Sequence, residues 1–350
     1  MHNFIGMSIY LQTAREKNIE LLNKGISHGI DYVFTSLNIP EGRKDNINED
    51  LYHLIQLCNQ SNVKLFVDIS PKVLKSFNLT SLSQLSEIGL KTVRIDYGFS
   101  AEELVECSKT MEVVLNASTL KKDYIENLKE KGLNFNNVIA CHNYYPKVYS
   151  GLDLEDVKIL NQMYASYGIR TISFVAGDEK RAPLFEGLPT VEDHRNLNFL
   201  ESVLSSYYDL NSDIVMVGDV DLTDKHWNQF ADYRNKIVKL NCEIDQDHTY
   251  LYDEIFHDRS DNSNYVIRFV ESRSEKFIQT DIKAKNTVAR KKGDLCISNE
   301  CFGRYCGEVE ICKEDLPRDF RVNVIGRIVK EDLNLLSYIK KGQGLILKEK

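Results

Sequence analysis

The chain lacks an excess of positive charge: 44 Lys and Arg face 52 Asp and Glu, a formal charge of −8 over 350 residues. A phosphate backbone needs a basic footprint, so nucleic-acid binding is excluded as the main function, while a small anionic substrate in a local cationic pocket is not. The simplest role of the acidic balance is to keep the protein dispersed. No run approaches membrane-spanning length. The start, MHNFIGMSIY, has no basic segment, long apolar stretch or small-residue cleavage site, so no signal peptide is expected and the cytoplasm is the expected compartment. The eight cysteines, Cys58, Cys107, Cys141, Cys242, Cys296, Cys301, Cys306 and Cys312, contain no CxxC pair. Several sit in apolar runs such as VIACHNYY, which predicts buried reduced thiols in place of disulfides or a zinc site.

What is present is alternation. Apolar runs rich in β-branched residues predict strands over 4–10, 30–37, 64–70, 92–98, 112–118, 137–145, 170–177 and 213–219. Amphipathic stretches lie between them, several with helix-start signals: Thr13 with Glu16, Ser100 with Glu103, Asp153 with Asp156, Thr190 with Asp193, and Ser70 before Pro71. Eight strand–helix units in about 240 residues predict an α/β fold, a closed (β/α)₈ TIM barrel. The rival, an open doubly wound sheet, is disfavoured because no GxGxxG follows the first strand. After about Leu240 the pattern changes. NYVIRFVESR, KFIQTDIKAK, DLCISN, GEVEIC and FRVNVIGRIV read as strands separated by glycine turns, with a short helical piece near 330–340. The expected organisation is a barrel over 1–240 and a small all-β barrel or sandwich over 241–350, with the polar stretch 241–264 packing or linking between them.

In such a barrel the chemistry sits at the carboxyl ends of the strands, and side chains alternate between lumen and outside. Strand 3, KLFVDIS, puts Phe66, Asp68 and Ser70 on one face; strand 4, TVRIDYG, puts Arg94 and Asp96 together. Charges inside a barrel are costly unless used or paired. Asp68 and Asp96 are therefore candidate catalytic carboxylates, with helix caps or an ion pair such as Asp96 with Arg94 as the structural alternative. Asp178, Glu179, Asp219 and Asp221 are further candidates that equally fit loops or caps. His142 and Asn143 end strand 6, as substrate contacts or satisfied interior groups, and Tyr144 and Tyr145 would form an aromatic wall or pack. The strand-7 loop, GDEKRAPLFEGLPTVEDHR, carries Lys180, Arg181, His194 and Arg195, where this fold commonly holds phosphate; a solvated basic loop is the plainer reading. A Schiff-base lysine is missing from the strand centres and strand 1 has no HxH, so neither aldolase chemistry nor metal binding is expected.

The succession GMSIY, VFTSL, RIDYGFS, CHNYYP, SFVAGDEKRAPLFEGLPTVEDHR and VMVGDVD, then ARKKGD, GRYCGE and RVNVIGRI, resembles the 6-phospho-N-acetylmuramidase (MupG) family over nearly the whole chain. The resemblance implies a TIM barrel followed by a cyclophilin-like β-domain. It also implies a cytoplasmic glycosidase that cleaves the β-1,4 bond of N-acetylmuramic acid 6-phosphate–N-acetylglucosamine during cell-wall recycling, on a disaccharide phosphorylated by its importer. No cofactor is implied, and the partner is the phosphorylated disaccharide, with neither nucleic acid nor membrane.

Strand-end position, not the family, supplies the site residues. Glycosidic cleavage needs a protonated acid and a carboxylate that stabilises the oxocarbenium-like centre, unless the substrate's N-acetyl group is itself the nucleophile. Asp96 beside Arg94 is the expected ionised group, Asp68 the expected acid, and Asp219 and Asp178 the reserves. Lys180, Arg181 and Arg195 are the expected phosphate cations, with Arg304 and Arg290 as candidates from the second domain. The rival functions are another phosphosugar enzyme, an isomerase or epimerase, or a non-catalytic sugar-binding protein.

Overall fold

Short runs of Val, Ile, Leu and Phe that are buried on both faces are the mark of a parallel sheet covered by helices, and eight of them close into a barrel here. In this computed structural model, which describes residues 2–38, 46–77, 79–95 and 97–350, the strands are β1 (Phe4–Ser8), β2 (Tyr32–Ser36), β3 (Lys64–Ile69), β4 (Thr92–Ile95), β5 (Glu112–Asn116), β6 (Val138–Cys141), β7 (Arg170–Val175) and β8 (Ile214–Val217). Each pairs in parallel with the next, and β8 returns to β1. The lumen is packed: Tyr32, Phe34, Phe66, Val114, Ile139, Cys141, Ile172, Phe174, Ile214 and Met216 form one cluster, with Phe4 and Tyr144 against it. Gly6 is required by this filling. A Cβ there would stand 2.6 Å from the Tyr32 carbonyl and 2.9 Å from Met216 Cε.

The register fixes the site. Ser36 lies beside Asp68, and Asp68 beside Arg94, on three consecutive strands. Since Phe66 points into the lumen, period-2 alternation brings Asp68 to the same face one layer nearer the carboxyl end.

The chain divides into two compact units, Met1–Arg234 and Asn235–Lys350. The second is a mostly-sheet, nearly closed barrel of seven strands: β9 (Ile237–Ile244), β10 (Ile255–His257), β11 (Val266–Arg268), β12 (Asp294–Ser298), β13 (Val309–Cys312), β14 (Val322–Ile328) and β15 (Gly344–Glu349), in the order β10-β15-β9-β14-β12-β13-β11. A bridge between Asp258 and Phe269, immediately after the two edge strands, ties the edges together. A boundary at 240/241 would cut β9, whose alternating Val238, Leu240 and Cys242 are fully buried. The stretch 241–264 is accordingly no linker: it holds the end of β9 and all of β10. KFIQTDIKAK is not a strand. Its backbone groups make isolated bonds, Ile282 O accepting from Glu300 N and Lys285 N donating to Asn323 Oδ1, so no ladder forms. All eight cysteines are free thiols; six are buried, Cys306 is half-buried and Cys301 is exposed.

Candidate active site at the carboxyl ends of the barrel strands

Asp68 is the acidic group around which the mouth of the barrel is built. Its Oδ1 accepts from Arg94 Nη1 at 2.9 Å and its Oδ2 from Ser36 Oγ at 3.1 Å. Arg94 Nη2 donates to Asn143 Oδ1 at 2.6 Å. The Asn143 backbone is fixed in turn: its N–H donates to Ser118 Oγ at 2.9 Å and its carbonyl accepts from Thr190 Oγ1 at 3.0 Å. The side chains of Asp68 and Arg94 are 10% and 5% exposed, buried enough for the charges to need each other and open enough for the carboxylate to meet a ligand. Arg94 thus has a carboxylate partner on the neighbouring strand, Asp68, while the partner expected on its own strand is Asp96. Asp96 lies outside the described residues.

Aromatic rings floor this cluster. Tyr144 meets Phe174 edge-on at 5.3 Å and Phe34 at 6.1 Å. The Tyr10 hydroxyl donates to the Gly218 carbonyl, and the Arg181 guanidinium lies 4.5 Å over the Tyr10 ring. Burial pushes the Tyr10 and Tyr144 phenols up, against the pull of Arg181 on both. Both therefore stay protonated donors near neutral pH.

Several sequence candidates turn out to be scaffold. His142 follows the inward Cys141 and so faces outward. It is fully buried, its Nε2 is 2.8 Å from Asn161 Oδ1 and its Nδ1 3.3 Å from Ser118 Oγ, and burial pushes it down to about 4. It is a neutral strut, not a substrate clamp. Asp219 has a side chain with no exposure; Gly177 N, Leu188 N and Arg181 N donate to it at 2.9, 3.0 and 3.0 Å, which organises the strand-7 loop. Asp178 takes the Thr223 N–H at 2.6 Å and His226 Nδ1 at 2.8 Å. Burial raises its carboxyl, but Thr223 and His226 outweigh that and hold it below the ordinary range, which suits no general acid. Arg195 is committed to Glu192 at 2.7 and 2.8 Å and to the carbonyls of Gly187 and Tyr145, each at 2.9 Å. Arg195 and the N–H groups of Tyr149 and Gly151 hold Glu192 down at about 2. Lys180 Nζ donates to the Gly177 carbonyl at 2.6 Å. Tyr145 supplies backbone contacts to Pro189 and Arg195. In the second unit Arg304 donates to the Tyr305 hydroxyl at 2.6 Å and Arg290 pairs with Glu310 at 3.4 Å.

Two family profiles, described as 6-phospho-N-acetylmuramidase N-terminal and C-terminal, match residues 5–232 and 238–348. The chain belongs to the 6-phospho-N-acetylmuramidase (MupG) family. Among solved structures, a conserved Enterococcus faecalis protein described as having an unknown function is 29% identical, with a TM-score of 0.81 over 99% of this chain and 96% of that one. An uncharacterized B. cereus protein is 24% identical, with a TM-score of 0.79 over 99% of both chains, and shares the fold. No curated protein matches.

For a member of the MupG family the sequence pattern missed Ser36 and Tyr10 and did not separate Tyr144, whose ring lies in the floor, from Tyr145. The rule that found Asp68 also reaches Ser36, since Tyr32 and Phe34 precede it on the same face of β2. Nothing local marks Tyr10, which lies past the end of β1 and is made part of the mouth by Arg181 from the strand-7 loop. Among the described residues no group of three or more His, Cys, Asp or Glu is arranged to hold a metal, and no helix is long and apolar enough to cross a membrane.

Proposed function

We propose that the protein is a cytoplasmic glycoside hydrolase that splits the β-1,4 bond of N-acetylmuramic acid 6-phosphate–N-acetylglucosamine into its two sugars, in cell-wall recycling. The observation that carries this reading is the Asp68 carboxylate at a barrel strand end, held by Arg94 and Ser36 above an aromatic floor, in a chain of the MupG family. The guanidinium on one oxygen and the hydroxyl on the other fix the orientation of the carboxylate at the strand end. Asp68 is therefore assigned the electrostatic role, stabilising positive charge at the anomeric carbon, in place of the acid role expected from sequence. Asp96, a candidate from the sequence pattern of strand 4 alone, then takes the proton-donor role, which exchanges the two roles expected from sequence. Arg181, which reaches the mouth over Tyr10, is assigned to the phosphate. Tyr10 and Tyr144 supply ring surface, and Tyr144 a phenol, to the sugars.

Purified protein incubated with the 6-phosphorylated disaccharide should release one equivalent of each sugar, with the unphosphorylated disaccharide a much poorer substrate. Isomerised or epimerised disaccharide with the glycosidic bond intact would move the assignment to the rival phosphosugar class, and tight binding without turnover would move it to a binding protein. Asp96→Asn should lower kcat by at least about 10²-fold; near-normal turnover removes it from the mechanism.

A further inference from the structure

The opposite end of the barrel is polar where a barrel foot could have been filled by apolar side chains. Strands β1, β2, β3, β4, β5 and β7 begin with Phe4, Tyr32, Lys64, Thr92, Glu112 and Arg170. Five of these first residues, all but Glu112, line a 420 Å³ cavity, together with Asn59, Asn62 and Lys91. That volume falls within the roughly 300–1,000 Å³ of small-molecule sites.

Its charges do not balance. Lys64 Nζ lies 2.9 Å from one Glu112 oxygen and Arg170 Nη2 lies 4.0 Å from the other, while Thr92 Oγ1 also donates to Glu112 at 3.3 Å. Lys91 has no carboxylate partner among the described residues. The acid that lines the wall itself, Asp31, is taken by Arg234 at 3.0 Å, by the Ile5 N–H at 3.1 Å and by His2 at 3.1 Å. Two cations thus share Glu112, and Lys91 adds a third positive charge to the cavity wall. Two of them are braced against ring faces, Lys64 5.6 Å over Tyr32 and Arg170 5.4 Å over Phe4, which sets their positions before any ligand arrives. Their side chains are 39% and 38% exposed and Glu112 is 16% exposed, so the cationic heads open into the cavity while their one counter-charge sits deeper. A concave site with surplus fixed positive charge concentrates anions.

We propose that the foot of the barrel is a second ligand site, for a sugar-sized phosphate monoester whose dianion lies among Lys64, Lys91 and Arg170. Phe4 and Tyr32 offer it ring surface, and Asn62 an amide for hydroxyls. The site does not depend on the glycosidase reading, because no residue of the mouth contributes to it.

Isothermal titration of the full-length protein at fixed ionic strength, first with inorganic phosphate and then with a hexose 6-phosphate, tests this. Binding is expected in the millimolar range or tighter, with the hexose phosphate the better ligand. Arg170→Gln should weaken phosphate binding about fivefold, and Glu112→Gln, which removes the competing carboxylate, should strengthen it by a similar factor. Lys91→Gln, at an exposed position that does not risk the fold, should weaken it about twofold to threefold. Arg181→Gln at the mouth should leave this binding in place. Absence of binding by both probes, affinity indifferent to all three foot substitutions, or binding lost only in Arg181→Gln would each overturn the proposal.

Discussion

Asp68 and Asp219 both stand at the carboxyl ends of barrel strands, both were reasonable catalytic candidates by position, and the structure treats them in opposite ways. Asp219 is sealed: its carboxylate receives three backbone N–H groups and shapes the loop that follows β7. Among the described residues Asp68 receives side-chain donors, from Ser36 and Arg94, and keeps an edge toward the lumen. The arginines divide likewise. Arg195 is saturated by Glu192 and by carbonyls of two loops, whereas Arg94 links Asp68 to Asn143 within the mouth. A charge whose partners are backbone groups is architecture, since replacing it unravels a loop. A charge whose partners are rim side chains is held ready for something else.

The largest expected effect tests the chemical side of this contrast. Asp68→Asn keeps the shape but removes the charge, and should lower kcat on the phosphorylated disaccharide by about 10³-fold while the circular dichroism spectrum stays native. Retained turnover with a collapsed melting temperature would make Asp68 a strut like Asp219. Arg195→Ala should do the reverse. It strands Glu192 and four carbonyl contacts, costing about 3 kcal/mol and lowering the melting temperature by roughly 10 °C. Weakened discrimination between phosphorylated and unphosphorylated substrate with unchanged melting would return Arg195 to the phosphate site.

Acid should find the scaffold histidines next. Burial holds His142 and His194 at about 4, below their ordinary 6.5. The unfolded chain protonates them first, so stability is lost as pH falls from 6.5 toward 4 and levels off below, by up to about 1.4 kcal/mol per pH unit for each histidine. Denaturant midpoints across that window should flatten in a His142→Gln variant; equal slopes would show that the ring titrates normally. Asp219→Asn turns an amide N–H₂ toward backbone donors and should cost about 2 kcal/mol. Asp178→Asn weakens only the contacts with Thr223 and His226 at an exposed position, so about 1 kcal/mol and an unchanged kcat are expected; a large loss of turnover would place it in the mechanism after all.

Much of this was legible in the sequence. The alternation of apolar runs predicts all eight barrel strands, and Ser100 with Glu103 forms the expected capping box. Asp153 accepts from Glu155 N and Asp156 N as its spacing predicts. The failures share a cause. Thr190 does not cap a helix, because its hydroxyl is taken by Phe174 N and Asn143 O. The helix after Thr13 is capped at Ala14 without a side-chain bond. His142, Arg195 and Asp219 look available because their partners, Asn161, the carbonyls of Tyr145 and Gly187, and the N–H of Leu188, are 19, 50, 8 and 31 residues away.

Local pattern determined the strands, their lumen-facing sides and the layer on which Asp68 and Arg94 meet, because period-2 alternation and burial are properties of short segments. Whether a given charge at the rim is spoken for was decided only in three dimensions. That depends on which backbone donors the loops deliver to it, and barrel closure, not sequence proximity, chooses them.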